Sequence, residues 1–361
     1  MMGISREQLW NRLQAAGLAV GEIASPVDQP SPWFVRAMLG FAGWIGALFL
    51  LGFVGASLQF VIRSSEASLM TGAVICVAAS FIFRASRGRD FAVQFGLATS
   101  FAGQALFMSG LMGIFRWGSG LGYIGITVFE AVLAAVIINS VHRVVSSLAA
   151  AVSLSFALSA YGVPHIAPVL ITLGVAVVWL YELKWAGRGS LVRPVGYGLV
   201  LAAIYINGAL LMNEPVWLGG MAGSSPEFVK LSYWAGVFLN SAVFIFVVSR
   251  LLVREGLGFD ERLAQVALIA ALAIAISSFK APGIITGLII VLLGYAHGNR
   301  VLTGLGIFTL IAYLSHYYYQ MQATLLVKSA ALVATGLVLL IARFALDRVW
   351  PDKKSRGGSH A

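Results

Sequence analysis

The chain alternates long apolar runs with short polar breaks. Twelve runs approach or reach the roughly 20 mostly apolar residues that an α-helix needs to cross a bilayer. They cover about 37–62, 67–83, 91–115, 121–141, 144–162, 165–183, 195–213, 231–249, 263–279, 283–298, 301–318 and 323–345. The shallowest breaks separate 144–162 from 165–183 and 283–298 from 301–318. The pattern predicts an all-α fold, a polytopic transmembrane helix bundle of about twelve spans with no soluble domain between them. Ahead of the first run, Ser5 and Gln8 fit a capping box. Leu9, Leu13 and Ala16 fall on one helical stripe, with Trp10 beside it. Gly21, Pro26, Pro30 and Pro32 then break that helix. Residues 1–32 thus read as a cytosolic amphipathic helix and linker, docking on the membrane or holding a cytosolic partner, rather than as a signal peptide. Residues 33–346 form the transmembrane domain and 347–361 a basic cytosolic tail.

Composition moves the reading firmly from water to lipid. The 361 residues are 59% hydrophobic and 11% charged, against about half and a quarter in soluble domains. The net charge of +10 would point to nucleic acid in a soluble protein, but here the basic residues sit in short loops, as topogenic charge does. No nucleic-acid partner is expected. With the N-terminus in the cytosol, 19 of the 24 lysines and arginines fall in inward segments. Only Arg63, Arg116, Lys230 and Lys280 face outward, and Lys328 lies within the last run. The positive-inside rule therefore puts both termini in the cytosol. The longest outward loop, about 213–230, carries Glu214, Pro215 and Trp217.

Glycine is abundant, at 40 residues. Gly283, Gly287, Gly294 and Gly298 fall within about 60° of arc on the tenth run, a smooth stripe for close helix packing or for sliding. Tyr313, Tyr317, Tyr318 and Tyr319 cluster with His316 at the outward end of the eleventh run. They fit an interfacial aromatic belt, or a binding mouth. His165, between Pro164 and Pro168, stands at the outward start of the sixth run.

The motifs of soluble enzymes are missing or misplaced. There is no phosphate-binding G-x-x-x-x-G-K-[ST] loop and no H-E-x-x-H. The G-x-G-x-x-G string at Gly120, Gly122 and Gly125 opens an apolar run instead of following a strand. The single cysteine, Cys76, makes no intrachain disulfide, and no Cys/His cluster has metal spacing. No cofactor and no metal are expected. Two ionisable residues remain inside runs. Glu130 sits near the midplane of the fourth, sharing a helix face with Tyr123 and Thr127. A carboxylate there pairs or stays protonated, and serves either as a helix contact or as a proton or substrate site. Lys328 lies about five residues into the last run, near enough its end to snorkel. It shares a face with Thr324 and Thr335 and stands at a depth from which it could reach Glu130 if the two helices are neighbours. Gln94, Gln104, Asn139, Asn207, Asn240 and His297 are candidates for interhelical hydrogen bonds.

The C-terminal third carries a resemblance. Gly298-Asn299-Arg300, Gly304-Leu305-Gly306, Tyr313-Leu314-Ser315, Tyr317-Tyr318, Thr324-Leu325-Leu326, Lys328-Ser329, Thr335-Gly336 and Arg343 resemble an uncharacterised bacterial family of multi-span inner-membrane proteins, classed as a domain of unknown function. Leu9-Trp10, Arg12-Leu13 and Ala15-Ala16-Gly17-Leu18 resemble its N-terminal helix. The resemblance implies a bacterial inner-membrane location. It also implies kinship with proteins encoded beside a periplasmic GDYXXLXY-domain protein. Lys328 stands at a family motif position. The family brings no established activity, so no residue role carries over.

Three functions fit these features. One is a transporter-like permease or membrane subunit with a polar site near Glu130. A second is a scaffold in an envelope complex, meeting a periplasmic or membrane protein partner through the 213–230 loop and the Tyr/His cluster. The third is an enzyme acting on a lipid at the outer face with His165, His316 or Glu214, which lacks the clustered Arg and His such chemistry wants. The lipid bilayer is a partner in all three.

Overall fold

The computed structural model describes residues 6–18, 21, 33–57, 63–86, 90–212, 226–280 and 282–320, with four single positions beyond. Among them there are helices and turns and no strand. The helices are α1 (Arg6–Ala15), α2 (Trp33–Ser57), α3 (Ser65–Ala85), α4 (Asp90–Phe115), α5 (Gly120–Val136), α6 (Ser140–Ala160), α7 (Ile166–Leu180), α8 (Gly189–Leu211), α9 (Pro226–Arg254), α10 (Arg262–Ser277), α11 (Pro282–Ala296) and α12 (Arg300–Gln320). Short 3-10 segments, Glu182–Arg188 and Ser278–Lys280, precede α8 and α11. Eleven of the twelve apolar runs coincide with one helix each, α2 to α12. The run 323–345 lies outside the described residues but for those four single positions, as do most of 1–32, the loop 213–225 and the tail after 340.

Among the described residues six helices, α3, α4, α6, α8, α9 and α12, are long and apolar enough to cross a membrane, and α5, α7, α10 and α11 are shorter apolar helices. Their faces are sorted for lipid rather than for water. On α5 the exposed large side chains are Leu121, Ile124, Val128, Val132 and Val136, while Gly122, Ile126, Glu130 and Leu133 are among the buried ones. On α10 Val266, Ile269, Leu272 and Ile276 are exposed, and the small Ala264, Ala271 and Ala275 face inward. A helix in water would turn these faces round.

The two shallow breaks are tight glycine turns. Gly162 and Gly298 have φ of +80° and +61°, a left-handed conformation that costs glycine little. In each, the residue after the glycine donates its N–H five residues back, Val163 to Leu158 and Asn299 to Gly294. That bond satisfies a helix-end carbonyl and stops the helix.

The helices fall into two compact units, residues 1–114 and 115–361. In the first, α3 and α4 pack backbone to backbone. A Cβ at Gly72 would collide with Phe107 N, and one at Gly110 with Leu69 N. The Cys76 thiol lies in this seam, donating to Ser100 O at 3.6 Å. α2 joins α4 where Gly43 meets Gln94 and Trp44 Nε1 donates to Gln94 Oε1 at 3.2 Å. In the second unit α8 is central, with Val200, Ala202, Ala203 and Ile206 fully buried. Around it lie α6, α7 and α11, contributing Ala167, Val175, Ile285 and Ile289 to one apolar cluster. α11 and α12 form a tight hairpin. A Cβ at Gly294 would stand 2.5 Å from Thr303 N, one at Gly287 2.8 Å from Leu310 Cδ2, and one at Gly306 2.7 Å from Val291 N. Gly283 faces the Tyr313 ring. Gly298 departs from the expected stripe: it closes the turn and has nothing within 4 Å.

Candidate functional site

At one end of the second unit the ends of five helices leave a pocket of about 330 Å³. The hairpin order of the chain puts the start of α7, the end of α8, the first turns of α9, the start of α11 and the end of α12 at this same end. His165 and Pro168 come from the first, Asn207, Leu210, Leu211 and Met212 from the second. Tyr233, Gly236, Val237 and Asn240 come from α9, Gly283 from α11, and His316, Tyr317 and Gln320 from α12. The sequence expected His165, His316 and Tyr317 at the same outward level; the fold puts all three in one cavity.

Small residues and aromatic edges hold its shape. Gly236 lets α9 come against the chain at His165, where a Cβ would stand 2.5 Å from His165 O. The His165 ring meets Tyr233 edge-on at 5.3 Å. Tyr233 is fixed in turn by its hydroxyl, which donates to Phe279 O at 3.0 Å. Tyr313 ties α12 to α8 by donating to Ile204 O at 2.7 Å. Asn207 donates its amide to Ala203 O at 2.8 Å, which leaves its own carbonyl for the cavity. His165 Nδ1 and the Tyr317 hydroxyl are buried atoms with no protein partner among the described residues. Buried polar atoms are normally bonded, so these two mark where a ligand or water completes the set.

The walls set the chemistry. Seven side chains offer neutral hydrogen-bonding groups, from His, Tyr, Asn and Gln, and the rest are apolar. Among the described residues no Asp, Glu, Lys or Arg lines the pocket. A charged ligand would lose its hydration with no opposite charge to replace it. The volume lies at the lower end of small-molecule sites.

The other aromatic candidates separate. Tyr313 is a buried core residue, 5% exposed, whereas Tyr319 is 81% exposed. Tyr318 packs edge-on against Tyr319 at 5.7 Å and lies outside the pocket lining.

Glu130 lies elsewhere. It is 0% exposed, with His142 and Ser146 of α6 equally buried. Ser146 Oγ stands 3.4 Å from His142 Nδ1. The same hydroxyl approaches the carboxyl without closing a well-aligned bond, and neither carboxyl oxygen has a partner among the described residues. Glu130 lines neither this pocket nor the apolar groove beside α5. Thr127 spends its hydroxyl on Tyr123 O at 2.9 Å, and the Tyr123 ring stacks on Phe156 at 5.3 Å. Lys328, Thr324, Thr335 and Glu214 lie outside the described residues. His142, Ser146, Tyr233 and Gln320 were not among the sequence candidates. The first two were legible, since an antiparallel hairpin turning near 138 places 146 opposite 130.

Comparison with known proteins gives one finding. The family model of the domain of unknown function DUF4401 matches residues 32–349, from the start of α2 to beyond α12. No curated protein and no solved structure matches the chain.

Proposed function

We propose, from the premise that the chain belongs to the DUF4401 family of unknown function, that it is a permease-like subunit of the bacterial inner membrane. In this reading it takes an uncharged, hydrogen-bonding small molecule into the pocket between α7, α8, α9, α11 and α12. The observation that carries the reading is the pocket itself: neutral donors and acceptors on an apolar wall, with His165 Nδ1 and the Tyr317 hydroxyl unbonded among the described residues. The twelve-span arrangement with both termini cytosolic, supported by 19 of 24 basic residues on the inward side, makes the pocket end extracytoplasmic.

Thiol labelling tests pocket and orientation together. With Cys76→Ser as background, Gln320→Cys at the rim and Asn240→Cys at the floor should react with an impermeant reagent added to intact cells. Gly219→Cys should react with them, and Ser190→Cys only after lysis. Labelling of Gln320→Cys from the cytosolic side alone would invert the topology. Protection of Asn240→Cys from both sides would remove the ligand reading.

A second reading, proton coupling at Glu130, draws on one observation: a carboxyl fully buried beside Ser146 and His142, with no partner among the described residues. Glu130→Gln keeps the shape and removes the charge. Under this reading it abolishes proton-driven uptake while the protein still folds; unchanged uptake would exclude it.

A further inference from the structure

We propose that α5, α6, α7 and α8 hold one anionic phospholipid, its phosphate on Arg143 with Lys184 and Arg188 nearby, its acyl chain in the groove between these helices. The proposal stands apart from the pocket and does not depend on it.

Arg143 is the starting point. It is 6% exposed, its Nε donates to Ala134 O at 3.2 Å and its Nη1 to Ser190 O at 2.8 Å. A guanidinium has five N–H donors, so three are left over. The one ion pair among the described residues joins Arg193 to Glu182, so no described carboxylate neutralises Arg143. The C-terminal end of α5 offers only the partial negative charge of its carbonyls. Its carbonyl partners carry no full counter-charge, and its spare donors are not among the sealed, unbonded atoms of the described residues, so an anion can reach them and supply that charge.

The groove says what carries that anion. It encloses about 470 Å³, and Ala134, whose carbonyl Arg143 holds, is in its wall together with Leu191, the neighbour of Ser190. Arg143 is not itself in the wall; its bonds to Ala134 O and Ser190 O place it beside the Ala134 and Leu191 end. The rest of the wall is alanine, leucine, isoleucine and valine, apart from Trp185, Thr127 and Ser147. Both hydroxyls are used inside their own helices, Thr127 on Tyr123 O and Ser147 on Arg143 O. Apart from the Trp185 indole N–H, no side-chain donor in the wall is left for a polar ligand, which fits hydrocarbon. From Leu191 to Leu199 the groove follows α8 for about 12 Å, most of one leaflet's apolar depth. At the Arg143 end Trp185 lies between Lys184 and Arg188, both exposed. Tryptophan flanked by cations is the usual dress of a helix end at the headgroup level.

The full chain, purified in neutral detergent and stripped of lipid, is tested by native mass spectrometry and thermal unfolding. The probes are phosphatidylglycerol, phosphatidylcholine with the same chains, and inorganic phosphate. Phosphatidylglycerol should be retained at one copy and raise the melting temperature; the other two should do neither. Lys184→Gln with Arg188→Gln should weaken retention roughly 25-fold, about fivefold per cation. Arg143→Gln also removes two bonds that tie helices, so the second variant is Ala131→Trp, an exposed groove position that fills the space from α5. It should abolish retention and leave the unliganded melting temperature unchanged. Equal retention of the two phospholipids would overturn the headgroup site. Undiminished retention by Ala131→Trp would overturn the groove. No retention, with Ala131→Trp melting lower, would mean that another helix of this chain or a second copy fills the groove, and the proposal would fail.

Discussion

Adding one methyl group at Gly294 puts the packing account under the sharpest strain. A Cβ there would stand 2.5 Å from Thr303 N and 2.6 Å from Thr303 Oγ1. That is about 1 Å inside ordinary van der Waals contact. The neighbour cannot yield, because one of the atoms is backbone and the hydroxyl is held by its bond to Asn299 O at 3.0 Å. α11 and α12 must separate, and the close approach of Gly306 to Val291 N loosens with them. Overpacking of this kind costs about 1–3 kcal/mol. Two glycines of the same hairpin serve as internal controls. At Gly287 the obstacle is the flexible end of Leu310, so Gly287→Ala should cost under about 1 kcal/mol. At Gly304 nothing lies within 4 Å, and Gly304→Ala should gain up to about 1 kcal/mol in helix propensity. Thermal unfolding of the three variants, followed by tryptophan fluorescence in one detergent, should rank them in that order, with Gly294→Ala several degrees below the parent. Gly294→Ala melting together with Gly304→Ala would refute the close hairpin.

Two further substitutions test single interactions. Glu130→Leu removes two buried oxygens that have no partner among the described residues and should raise stability by about 1–3 kcal/mol, with Glu130→Gln changing little; a fall in the melting temperature of Glu130→Leu would show that a partner such as Lys328 meets the carboxyl. Asn299 accepts from Leu302 N at 3.1 Å and bonds the Tyr197 hydroxyl at 2.8 Å, so Asn299→Ala should cost about 1–2 kcal/mol; an unchanged denaturation profile would show that the cap is not formed.

Helices were legible in the sequence because each apolar run is long and bounded by charge or turn residues. The turns at Gly162 and Gly298 were readable as breaks, and Gly298 was then misread as part of the stripe, because its 100° spacing continues past the point where the helix has stopped. Hairpin contacts could be read as well: residues equidistant from a turn face one another, as Gly294 and Thr303 do, and as Glu130 and Ser146 do. The pocket could not. His165 and Tyr233 lie 68 positions apart on helices whose adjacency no local pattern encodes, and Tyr233 carries no signal beyond being aromatic near a membrane face. Arg143 reads in the sequence as topogenic charge, since burial of an arginine in the first turn of α6 under two carbonyls depends on where α8 begins.

The most direct measurement is an experimental density map of the full chain in lipid nanodiscs, resolved well enough to show bound water. The expected result is an open cavity bounded by His165, Asn240 and Tyr317, reached from the extracytoplasmic face, with water or ligand within bonding distance of His165 Nδ1 and the Tyr317 hydroxyl. A cavity filled by the chain's own side chains, or one opening to the cytosolic face, would contradict it.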